Sequence, residues 1–165
     1  MMKIFKYLFL LIILGLASCA FAPPFMSYYV GDDIYQYFLS PSEWNAKNSK
    51  AKLDVTYRTG PNLTTPATVN ISFYGNKERP KNVSSASLHG AGVDCPLENI
   101  KIILVNDEKK EYRITSQADR DVFIALLNAE PITLTAEVDG VSYTYTPHKF
   151  FKKLKKQFLS EISVY

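Results

Sequence analysis

Two residues in the segment HGAGVDCP, His89 and Cys95, are of the types that make a nucleophile and its base. An imidazole that accepts the thiol proton turns a cysteine into a reactive thiolate. The glycines between the two give the backbone freedom for such an approach. The activity this pair would carry is that of a thiol-dependent hydrolase. The segment matches no cysteine-enzyme signature, however, and a lone cysteine is more often a small buried hydrophobe. No catalytic residue is assigned, and a non-enzymatic protein is expected. Metal chemistry has even less to stand on. His89 and His148 sit in separate elements, no CxxC or HExxH spacing occurs, and Asp32-Asp33 lacks the alternating acids of a calcium loop. A phosphate-cradling glycine loop and a serine elbow are absent from the sequence. No metal or cofactor is expected.

Two stretches carry side chains suited to binding. The first is aromatic: Tyr28, Tyr29, Tyr35, Tyr37 and Trp44 form a candidate surface for a protein or glycan. Tyrosine and tryptophan are favoured at binding hot spots, although the same residues serve equally as core. The second stretch is FFKKLKKQFL. Phe150, Leu154 and Phe158 recur every four residues, flanked by Lys152, Lys153, Lys155 and Lys156. A basic amphipathic helix of this kind can lie on an anionic membrane surface. The ordinary alternative packs the stripe on a core and leaves the lysines in solvent.

The other cysteine has a different setting. Two lysines, Lys3 and Lys6, precede an apolar run from Tyr7 to Leu16, and Leu16-Ala17-Ser18-Cys19 follows. A positive head, a short apolar middle and small residues define a secretory signal. The run is too short to span a membrane comfortably, which takes about 20 residues. LASC resembles the bacterial lipobox at every position. That resemblance implies that residues 1–18 are removed and Cys19 is lipidated. It covers the processing class only and names no domain family. An ordinary cut after Ala20 or Ala22 is the alternative, with Pro23 and Pro24 counting against it. By the same resemblance, Ala20 in place of an aspartate favours the outer membrane if the host has one. Three Asn-x-Ser/Thr patterns, at Asn62, Asn70 and Asn82, would suit a glycoprotein instead, but so short a pattern is less specific than the lipobox.

Cleavage before Cys19 would leave 147 residues, enough for one domain with a core of its own. Losing Lys3 and Lys6 takes the basic count from 19 to 17 against 16 acidic residues. A chain this close to neutral gives no basic field for nucleic acid. The 11 tyrosines and 10 phenylalanines suit strands and a packed interior better than disorder.

Residues 19–27 read as a lipidated tether, extended by Pro23 and Pro24, and residues 28–165 as a mostly β domain. Ser40 to Trp44 reads as a turn opening into one helical turn. Leu53, Val55 and Tyr57 alternate with polar residues, as do Val69, Ile71 and Phe73; these predict two neighbouring antiparallel strands. The span AGVDCPLEN reads as irregular. IKIILV reads as a more buried strand, pairing with EYRITS in a hairpin. Ser116 with Asp119 predicts a helix start, and Val122, Phe123, Leu126 and Leu127 its apolar face. Asp139-Gly140 predicts a tight hairpin turn, and Thr146-Pro147 the cap and first residue of the last helix.

The fold expected is mainly β: an antiparallel sandwich-like domain with two helices. A compact α+β fold with the helices on one face of the sheet is the alternative. The expected function is that of a lipid-anchored envelope lipoprotein that binds a protein partner or supports an envelope assembly, membrane-bound through Cys19. Binding of a small ligand or glycan through the aromatic segment is the runner-up.

Overall fold

Alternation in the sequence becomes a continuous wall of strands. In the computed structural model, which describes residues 25–75 and 78–162, the chain runs through β1 (Phe25–Gly31), β2 (Ile34–Ala46), β3 (Ser49–Thr59), β4 (Ala67–Tyr74) and β5 (Val83–Gly90). It continues through β6 (Val93–Pro96), β7 (Glu98–Asn106), β8 (Glu111–Ala118), α1 (Arg120–Asn128), β9 (Thr133–Val138), β10 (Val141–Pro147) and α2 (Lys149–Ile162). All strand pairs are antiparallel, in the order β6-β5-β9-β10-β2-β3-β4-β8-β7, with β1 added on β2.

Two long strands bend this sheet round. The first part of β2 carries β1, and its Trp44 and Asn45 pair with Pro147 and Thr146 of β10. At the other end, β6 and β7 are successive parts of one run separated only by Leu97; β6 pairs with β5 and β7 with β8. The result is a mainly β protein with two helices, as expected, whose ten strands curl into a nearly closed barrel. The helices do not share a face: α1 packs on β5 and β6, α2 on β1, β2 and β10.

The interior is aromatic. Trp44, Tyr37, Tyr145, Phe73, Phe123 and Phe158 are all essentially inaccessible to solvent. Phe158 of α2 ties the strands together, its ring 5.7 Å from Tyr37 and 5.3 Å from Tyr57, both edge-on. Each such side chain contributes about 1.5–3 kcal/mol through burial. On the outer face of β3, β4 and β8, a polar cluster replaces simple exposure. Asp54 is buried there, ion-paired with Arg113, and accepts from Asn70 Nδ2 at 2.8 Å; Arg113 also donates to Ser72 Oγ at 2.8 Å.

Several local expectations are corrected. Residues 25–27 belong to β1 and not to a tether; residues 19–24 and Cys19 lie outside the described residues. Ser40 to Trp44 is strand: Pro41 sits in a register irregularity between Leu39 and Ser42, where its missing N–H costs no ladder bond. The span read as irregular contains β6. Helix α1 is capped by Asp119, whose Oδ1 accepts from the backbone N–H of Asp121 and Val122, while Ser116 stays in β8 and donates to the Val69 carbonyl. β10 runs on through Pro147, so α2 begins after His148, whose Nδ1 accepts from the Phe150 N–H at 3.4 Å. The Asp139-Gly140 turn is as expected, with φ of 51° and 76°. β3 and β4 pair as expected, and so do β7 and β8. β7 itself is not buried but exposed along almost its whole length.

Candidate functional site

At one mouth of the barrel the β1–β2 turn, the end of β3, the first turns of α1 and the end of α2 surround an open cleft of about 800 Å³. Asp33, Tyr35, Tyr57, Thr59, Arg120 and Asp121 line it together with Pro61, Ile124, Ala125 and Ile162. The cleft exists because these segments approach closely. A Cβ on Gly60 would stand 2.9 Å from Ile34 Cγ1 and 3.3 Å from the Asp33 carbonyl, so only glycine lets β3 end against the turn. The turn itself places Asp32 and Asp33 in the left-handed region (φ 51° and 56°), which aspartate tolerates better than most residues.

Arg120 shapes the electrostatics. Its guanidinium carbon sits 4.8 Å over the Tyr57 ring, and Nη1 donates to the Arg58 carbonyl. No carboxylate is ion-paired with it among the described residues. Burial pushes the Tyr57 hydroxyl above the usual tyrosine range, with Arg120 pulling partly the other way. Thr59 is 8% exposed, and its hydroxyl oxygen is shut off from solvent. The Tyr37 hydroxyl faces it: burial raises the Tyr37 hydroxyl above the usual tyrosine range, and the contact with Thr59 partly offsets that rise.

The aromatic surface expected from the sequence divides in two. Tyr28 and Tyr29 are 50% and 62% exposed, and Tyr35 is half-buried at the cleft rim. Tyr29 and Tyr35 are cross-strand partners with ring centroids 5.3 Å apart. Tyr37 and Trp44 do not belong to any surface: both point into the barrel and are buried. They fall on the inner face of the long strand, where Trp44 meets Phe151 at 4.9 Å and donates from Nε1 to Ser42 Oγ at 3.1 Å.

The basic helix is corrected at two positions. Phe151, Leu154 and Phe158, spaced i, i+3, i+7, form the buried stripe, with Phe150 half-buried beside it. Lys152, Lys153 and Lys156 are exposed. Lys155 is not available to a membrane: it is 9% exposed and donates to Glu130 Oε1 at 2.6 Å.

His89 and Cys95 are not brought together. Strand alternation turns Cys95 to the face opposite Asp94, and the cysteine is buried. Burial pushes its thiol up to about 11, with Asp119 adding to the rise. His89 instead bridges three outer strands, Nδ1 to Asp94 Oδ1 at 2.7 Å and Nε2 to Thr135 Oγ1 at 2.6 Å.

A second surface lies along β7. Ile102, Ile103, Leu104 and Val105 are 42–59% exposed, and among the described residues the edge away from β8 carries no strand. Register irregularities between Glu98 and Lys101 and between Ile102 and Leu104 swing the strand off the core. The sequence signal for Thr59 and Arg120 was nil, since neither stands in a motif. No protein-family model matches the chain, and comparison with curated proteins and with solved structures gives no match either.

Proposed function

We propose that this is a lipid-anchored envelope protein whose β domain binds a protein partner by strand addition at β7. The observation that carries this reading is the exposed run Ile102–Val105 on an open sheet edge. Natural edges are shortened, charged or covered, because unpaired N–H and C=O groups invite another strand. This edge is nine residues long and apolar at its centre. An added strand would gain backbone hydrogen bonds and cover side chains now in water. Anchoring rests on the lipobox-like LASC, and Ala20 in place of an aspartate after Cys19 favours the outer membrane of a host that has one. The mass of the protein purified from its native envelope tests the anchor, with Cys19 to Tyr165 plus acyl chains expected. A photo-crosslinking residue at position 103, compared in cells with one at exposed Ser142, tests the edge. A single discrete adduct at 103, lost when Lys101→Pro and Leu104→Lys disrupt the edge, is expected. Equal labelling at both positions would remove the reading.

A further inference from the structure

We propose that the outward face of α2 rests on the anionic lipid headgroups of the membrane that holds Cys19. This rests on the lipid anchor proposed above and adds a second contact to it. Lys149, Lys152, Lys153 and Lys156 are all exposed and are spaced i, i+3, i+4, i+7. At 3.6 residues per turn they share one face, opposite the buried Phe151, Leu154 and Phe158. The stripe is about 10 Å long. None of the four is ion-paired among the described residues. Glu130 is held by Lys155, and Lys152 adds only a lesser pull on it.

This placement works against the helix itself. Between residues 149 and 160 there are five lysines and no acidic residue. Lys149 with Lys153, and Lys152 with Lys156, are like-charge pairs four residues apart, which repel. The first turn carries no acid to suit the positive end of the helix dipole. Packing on the barrel explains the buried stripe and leaves the outward charge without a use. A layer of anionic phosphates offsets the repulsion. The path of the chain favours a membrane over any other polyanion. Phe25, the first described residue, packs on α2 with its ring 6.1 Å from that of Phe158. Cys19 stands six residues earlier, and six residues reach at most about 20 Å. That reach exceeds the thickness of a helix with its side chains, about 10–12 Å. Acyl chains on Cys19 and the lysine stripe can therefore meet one plane, with α2 lying between barrel and bilayer. The contact is electrostatic, because the apolar face of α2 is already spent on the barrel and cannot sink into the acyl layer.

The lipidated full chain should be placed in vesicles of phosphatidylcholine alone and of an equal mixture with phosphatidylglycerol. Brief lysine acetylation followed by peptide mass mapping then reads each site. On the mixed vesicles Lys149, Lys153 and Lys156 are expected to react about fivefold more slowly than on the neutral ones, the factor one lysine gains at an anionic surface. Lys101, exposed on β7, should react equally on both. Salt at about 1 M, where the Debye length is about 3 Å, should abolish the difference. The variant Lys149→Gln/Lys153→Gln should melt like the parent and return Lys156 toward its rate on neutral vesicles. Equal rates on both vesicles, or a slowing shared by Lys101, in a protein that floats with the vesicles would overturn the α2 contact and leave the anchor standing. A protein that floats with neither vesicle would remove the anchor and this inference with it.

Discussion

Lys155 Nζ lies 2.6 Å from Glu130 Oε1, joining the middle of α2 to the loop that follows α1. The same ammonium also reaches the Ala129 carbonyl at 3.4 Å. A lysine set among basic neighbours is thus a structural tie between two helices. The hydrogen bond from Lys155 holds the Glu130 carboxyl below the usual glutamate range.

A depressed carboxylate pKa stabilises the fold above the unfolded value, about 4.3, and that contribution disappears as pH falls through the folded value. Glu130 is half exposed, so screening limits the gain to about 0.5–1 kcal/mol. Glu130→Gln should therefore melt below the parent at pH 6, and the gap should close as pH drops toward 3. Thermal melts of both proteins across that range give the test; a gap that stays constant would show the tie to be independent of charge.

Asp54 and Arg113 form the ion pair most deeply set in the barrel wall, with the aspartate side chain 2% exposed and the arginine 23%. Removing one partner leaves the other charge poorly solvated. Asp54→Ala should cost about 3 kcal/mol in urea unfolding. The double variant Asp54→Ala/Arg113→Met should recover part of that loss. A single-variant cost under about 0.5 kcal/mol would mean that the pair behaves as an ordinary surface contact.

Cys95 should be chemically silent in the native protein. With its thiol at about 11, only about one molecule in a thousand carries the thiolate at pH 8. Alkylation followed by peptide mass mapping should find Cys95 unmodified in buffer and fully modified in denaturant. Rapid native labelling would require an open path to the interior.

Trp44 is the sole tryptophan and is fully buried beside Phe151, so its emission reports on the packing of α2. The native spectrum should be blue-shifted and move to the red on unfolding. Phe151→Ala should lower stability by about 3–5 kcal/mol and shift the emission before global unfolding begins. An unchanged native spectrum would mean that α2 does not cover the tryptophan.

The strand faces were legible because alternation is local. Leu53, Val55 and Tyr57 announce their side without any knowledge of partners. The Asp139-Gly140 turn was legible for the same reason. Strand pairings between sequence neighbours were legible too, whereas burial set by distant elements was not. IKIILV looks like interior, yet whether Ile102 is covered depends on what lies across from it, and there the strand has swung away. Tyr37 and Trp44 looked like recognition residues because their types suit that role; burial depended on helix α2 arriving from more than a hundred residues later. Lys155 went the same way, since its acceptor Glu130 lies 25 residues back in another loop. Thr59 and Arg120 come to line one cleft only when the hairpin turn and two helix ends meet, a juxtaposition no spacing rule encodes.

The single run that passes from β6 to β7 has a mechanical consequence. It is stitched to β5 along its first part and to β8 along its second, but among the described residues β7 has no second neighbour. The barrel therefore has a zip, and its loose end is β7. Thermal opening should start there and travel toward Leu97. In amide hydrogen exchange, the N–H groups of β7 that face away from β8 should exchange first, and those of β3 and β4, paired on both sides, last. Any strand laid on β7 would close that zip, so a binding event at the edge would be read as slower exchange and a higher melting temperature in the whole wall.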